Sequence, residues 1–102
     1  MPRGKQLNVN ALRVLAGLYH SAERHYGLSL ARTLGLGNGT LYPILDKLED
    51  AGLIVGEWED LDPHAAGRRP RRFYTLTGEG VRTFEAERAR MFGPVATGGR
   101  HA

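Results

Sequence analysis

Three helical segments patterned by leucine and alanine come first along the 102 residues, then two strand-length segments rich in β-branched and aromatic residues, then one more helical segment. That order predicts a mainly α, α+β fold in the winged helix-turn-helix layout, closed by a C-terminal dimerisation helix. Two further observations support it: a glycine-rich turn joins the second and third helices, and a polar Asp/Pro/Gly/Arg loop joins the two strands. The expected boundaries are a flexible N-terminal arm at 1–6, a winged helix-turn-helix domain at 7–77, the dimerisation helix at 78–92 and a disordered tail at 93–102.

The first helix is expected over 7–20, with Asn8 or Asn10 as its cap. It carries two apolar stripes. Leu12, Leu15 and Tyr19 form one, and Leu7, Ala11, Val14 and Leu18 form the other. One stripe is enough to seat a surface helix. Two readings stay open: a central core helix, or a helix with one face on its own domain and one on a second subunit. A short helix over 27–35 turns Leu30, Ala31 and Leu34 inward, and Gly35, Gly37 and Gly39 punctuate the turn after it. The third helix spans about 38–51. Leu41, Ile44, Leu45 and Leu48 recur at i, i+3, i+4 and i+7 and mark its buried face, and Gly52 stands where a glycine ends a helix. Pro43 removes a donor near its start and is expected to distort or delay that start.

Segments 53–59 and 72–77 have strand length and composition, so they predict a β-hairpin whose long tip is DLDPHAAGRRPR. Trp58 on its first strand is expected in the core. Thr77 can cap the last helix, about 78–92, on which Val81, Phe84, Met91 and Phe92 fall to one side with Arg88 among them.

Composition narrows the function. Hydrophobic residues make up 41% and charged residues 25%, as in an ordinary folded domain. There is no cysteine, so disulfides, thiol catalysis and cysteine-held zinc are excluded. The histidines, His20, His25, His64 and His101, lack metal-ligand spacing, and the two serines, Ser21 and Ser29, sit in no nucleophile elbow. Gly35 to Thr40 has neither the lysine of a phosphate loop nor dinucleotide spacing. No enzyme activity, metal or cofactor is expected. With no apolar N-terminal segment and no membrane-length apolar run, a cytoplasmic protein is the simplest expectation.

The net charge of +3 is unevenly spread. Residues 46–62 hold seven acidic side chains against one lysine, whereas 63–72 hold four arginines and no acid. With the leucine stripe of the third helix buried, Tyr42, Pro43, Asp46, Lys47 and Asp50 point outward, and its N-terminus adds Asn38, Gly39 and Thr40. In the winged layout this helix enters the DNA major groove. Thr40 and Tyr42 are placed to donate to phosphates, Lys47 adds charge, and Asn38 can read an adenine edge. Arg68, Arg69, Arg71 and Arg72 lie at the hairpin tip, suited to flanking phosphate or the minor groove. Glu57, Glu59, Asp60 and Asp62 either neutralise these arginines or keep that side of the wing off DNA.

The chain also resembles the PadR-type transcriptional regulators. The resemblance rests on Tyr26-Gly27, on Gly39 to Pro43 (Gly-Thr-Leu-Tyr-Pro), on Leu45, Leu48-Glu49, Gly52 to Ile54 and Trp58, and on Arg68-Arg69, Tyr74, Leu76-Thr77 and Gly80. It covers about residues 9–92. Members often carry Ser-Pro where this chain has Gly37-Asn38, and Asn38 is expected to cap the helix there. The single helix after the wing resembles the small-subfamily members. The resemblance implies a homodimeric, sequence-specific DNA-binding regulator, a repressor acting by promoter occlusion at an inverted-repeat operator. The dimer interface is expected from Leu7, Ala11, Val14, Leu18, Val81, Phe84, Arg88, Met91 and Phe92, paired across a two-fold axis. The competing class is a winged-helix protein-interaction module without DNA contact. Such a module need not keep Tyr42, Lys47 and the arginine cluster together. A small-molecule effector is carried by no motif.

Overall fold

The computed structural model describes residues 7–21 and 24–92, so the expected arm and tail lie outside the described residues. In chain order the elements are α1 (Val9–His20), β1 (His25–Tyr26), α2 (Gly27–Leu34), α3 (Asn38–Asp50), β2 (Ile54–Trp58), α4 (Pro63–Ala66), β3 (Arg72–Leu76) and α5 (Gly78–Phe92). Three strands, rather than the two expected, form an antiparallel sheet in the order β1-β3-β2. His25 pairs with Tyr74 and Tyr26 with Phe73. Two residues are too few to show an alternating pattern, so β1 leaves no sequence signal.

Local chemistry sets the ends. The Asn8 side chain accepts the Ala11 N–H at 2.7 Å and caps α1. The Ser29 hydroxyl accepts the Tyr26 N–H and donates to the Tyr26 carbonyl, which ties down the first turn of α2. At the end of α3, Leu53 N–H returns to the Leu48 carbonyl and Gly52 N–H to that of Glu49. These paired bonds require the left-handed backbone that Gly52 adopts, with φ at 79°. Pro43 neither distorts nor delays α3, which runs from Asn38 without a break. The loss is confined to one donor near the helix start. Nor is Asn38 the cap. Gly37 occupies that position and makes no side-chain bond.

The core joins α1, α2, α3, the sheet and α5. Val14, Leu15, Leu30, Leu41, Leu45, Leu48, Ile54, Tyr74 and Phe84 are its main buried side chains. Both stripes of α1 contribute to the chain's own core. Ala11 and Val14 are buried, and Leu7 and Leu18 pack half-buried against them. Ala11, Val14 and Phe84 are therefore corrected from interface to core. A helix in contact with α2, α3, α5 and β3 at once needs apolar side chains on both sides. Trp58 is corrected in the opposite sense, because it is 67% exposed. It ends β2, where burial has already faded: Ile54 at the strand's start is buried, and Glu57 and Trp58 at its end are both exposed.

One junction holds the wing to the last helix. Thr77 N–H donates to the Leu53 carbonyl, and the Thr77 hydroxyl donates to the Gly52 carbonyl at 2.6 Å while accepting the Gly80 N–H at 3.0 Å. A Cβ at Gly80 would overlap the Leu53 carbonyl oxygen. The Gly-Leu-Ile stretch and the Leu-Thr-x-x-Gly stretch are thus two halves of one contact.

Candidate nucleic-acid interface

The outward face of α3 is as its periodicity predicts. Leu41, Leu45 and Leu48 are buried, while Asn38, Gly39, Thr40, Tyr42, Pro43, Asp46, Lys47 and Asp50 are exposed. At its N-terminus the Gly37 carbonyl accepts the N–H of both Thr40 and Leu41. The Asn38 and Gly39 N–H groups precede the first helical bond, so they point outward beside two short polar side chains. The Asn38 side chain is not engaged in capping. Backbone donors at a helix start together with a free amide form a site suited to a phosphate and an adjoining base edge.

Tyr42 is held by its neighbour helix. Its ring lies against Gly27 so closely that a Cβ there would strike the phenol. Gly27 starts α2 and is itself buried. The Tyr-Gly pair and the Tyr-Pro pair, 16 positions apart in the sequence, therefore meet at one contact.

The four wing arginines differ in what they already hold. Arg68 makes a forked ion pair with Glu59, at 2.8 and 3.1 Å, and the same carboxylate accepts the Arg71 N–H. The Arg68 guanidinium holds the Glu59 carboxyl below its ordinary pKa, and the carboxylate in turn raises that of Arg68. Arg72 binds the Glu49 carboxylate at 2.6 Å, tying β3 to α3. The Arg71 guanidinium lies over the Tyr26 ring, 4.3 Å from its centre. Arg69 is exposed and its guanidinium has no partner among the described residues. Of the acidic stretch, Glu59 does neutralise an arginine, whereas Asp62 accepts the His64 N–H and caps α4. Glu49, on the α3 side of the wing, was not singled out as an arginine partner, because the pairing spans 23 residues and only the fold reveals it.

Between α1 and α5, the Tyr19 hydroxyl donates to Glu85 at 2.6 Å, and Tyr19 packs on Phe84 with ring centres 4.6 Å apart. Glu85 raises the Tyr19 pKa. The Arg88 guanidinium covers both rings. Val81 is half-buried, while Met91 and Phe92 are exposed at 48% and 68%. Among the described residues no cluster of three or more potential metal ligands occurs, and no helix is long and apolar enough to cross a membrane.

Residues 17–86 match the model of the transcriptional regulator PadR-like family. No curated protein matches the chain. Among solved structures, a PadR family transcriptional regulator from Eggerthella lenta DSM 2243 is 30% identical. The match covers 80% of this chain and 73% of that one, with a TM-score of 0.64. The transcriptional repressor CouR bound to a 23-mer DNA duplex is 28% identical over 91% of this chain and 58% of its own, with a TM-score of 0.68. A PadR family regulator from Clostridium difficile R20291 is similar in fold. Its TM-score is 0.68 at 23% identity, over 88% of this chain and 96% of that one.

Proposed function

The chain belongs to the PadR-like family of transcriptional regulators, and from that membership we propose that it binds operator DNA as a homodimer and represses by occluding a promoter. The observation that carries this reading is that α3 and the wing meet at one groove, lined by Tyr42 from α3 and Arg71 from the wing. The start of α3 presents open N–H groups with Asn38, Thr40 and Tyr42, and among the described residues the guanidinium groups of Arg69 and Arg71 form no ion pair with a carboxylate. In this reading α3 enters the major groove, Asn38 reads a base, and Gly39, Thr40, Tyr42, Pro43 and Lys47 seat the helix on the backbone. Arg69 and Arg71 contact flanking phosphates, while Arg68 and Arg72 shape the wing and add potential.

The dimer is assigned to the end of α5, where Met91 and Phe92 are exposed beside Arg88, with half-buried Leu7, Leu18 and Val81 at its edge. The repressor CouR, similar in fold, is bound to a DNA duplex in its structure, which supports DNA as the partner here. A gel-shift with the DNA upstream of the protein's own gene tests the proposal. A shifted band competed by its own sequence and not by random duplex is expected. No shift at low salt overturns it.

A further inference from the structure

Between α3 and the wing lies an open groove of about 290 Å³, lined by Tyr26, Leu28, Tyr42, Trp58, Arg71 and Arg72, with Tyr74 also on its wall. Trp58 stands at its edge, 67% exposed, and its indole is held from one side by the Arg72 guanidinium, 5.4 Å from the ring centre. Arg72 is itself fixed. Its Nη2 binds Glu49, whose carboxylate also accepts the Gly56 N–H at 3.3 Å. The guanidinium fills the space left by Gly56, where a Cβ would come within 2.6 Å of Nε. Gly56, Glu49 and Arg72 thus place a large apolar ring in water without covering it. Exposing an indole in this way forgoes burial that a tryptophan ordinarily gains.

Tyr42 is one helical turn from Asn38, so the groove opens beside the α3 face that carries Asn38. Paired bases are not available for stacking inside a duplex. The deoxyribose, however, presents an apolar C–H face next to its phosphate. A wall of indole and phenol with the Arg71 guanidinium nearby fits that pair of surfaces. We propose that Trp58 is a DNA-contact residue: its indole packs on a deoxyribose of the strand running between α3 and the wing, with the Glu49–Arg72 pair positioning the ring. This rests on the DNA-binding reading above and adds a contact that depends on apolar packing rather than charge.

The chain has a single tryptophan, so indole emission, excited at the red edge where the four tyrosines absorb little, reports Trp58 alone. The full-length protein is titrated at low salt with a duplex of about three helical turns from the DNA upstream of its own gene, following duplex anisotropy and Trp58 emission together. Expected is a change in emission, with protection from acrylamide, that saturates with the anisotropy. Trp58→Ala is expected to weaken binding about fivefold while leaving the log–log salt slope unchanged, because no charge is removed. Trp58→Phe, which keeps a flat apolar ring, is expected to recover most of the affinity. The thermal melt of both variants stays close to that of the parent, since the side chain is outside the core. Anisotropy showing bound duplex while emission and quenching stay put overturns this inference and leaves the DNA-binding reading standing. No anisotropy change at any duplex concentration overturns both.

Discussion

At the residue scale, two glycines carry consequences out of proportion to their size. Gly80 sits under the Leu53 carbonyl with no room for a methyl group. Backbone cannot move aside as a side-chain tip can, so Gly80→Ala is expected to destabilise by about 1–3 kcal/mol or more, read from the midpoint of a urea transition. Gly27→Ala meets only the Tyr42 ring, which can swing away. Its expected signature is a small loss of stability and a larger loss of DNA affinity; an unaltered affinity would show that Tyr42 is not a contact. Glu59 gives a pH prediction. Its folded pKa is depressed, chiefly by the Arg68 hydrogen bond. Its contribution is therefore fully present above the unfolded carboxylate value and is lost as pH falls through the lower folded value. Amide exchange at Arg71, whose N–H the carboxylate accepts, is expected to quicken across that acidic window and not in Glu59→Gln.

At the element scale, the wing is a charged strand pair whose acids and bases are partly matched within the chain. Glu59 engages Arg68 and Glu49 engages Arg72. These pairs are half-buried, and solvent still reaches and screens them, so they add little stability. Their main effect is to decide which arginine remains open. Arg69→Ala is expected to lower the magnitude of the log–log salt slope by roughly 1.8 in a homodimer, at about 0.9 per phosphate contact, with operator and random duplex weakened alike. An unchanged slope makes Arg69 a solvated side chain only. The proposed recognition helix α3 is held by packing instead. Its leucine face is buried almost completely, and Leu45→Ala is expected to cost about 2–5 kcal/mol and so to unfold α3 together with the rest.

At the scale of the whole molecule, the dimer question turns on α5. Its middle belongs to the core through Phe84, and only its last turn offers Met91 and Phe92 outward. Ending the chain at Gly80 would therefore uncover the core as well as remove an interface, so it is a poor test. Phe92→Glu leaves Phe84 in place. Light scattering at micromolar concentration is expected to give a dimer for the parent and a monomer for this variant. A parent mass of 11 kDa with intact operator binding would remove the dimer from the proposal.

The helical periods of α1, α3 and α5, a cap at Asn8 or Asn10, the terminating Gly52 and the exposed face of α3 were legible in the sequence, because each is a local matter of period, capping oxygen or backbone sign; the structure chose Asn8. The motif residues were legible too, but not the reason for them. Only the tertiary structure brings Gly27 under Tyr42, Gly80 under Leu53 and Glu49 to Arg72, since these contacts join positions 15 to 27 residues apart. It alone decided that Ala11 and Val14 are buried within the chain's own core, because a stripe shows that a surface is apolar and not what covers it. It decided equally that Trp58 is exposed. Strand alternation assigns a side chain to a face, but where the core ends along that face depends on how far the helices reach, and that is a property of the packed molecule.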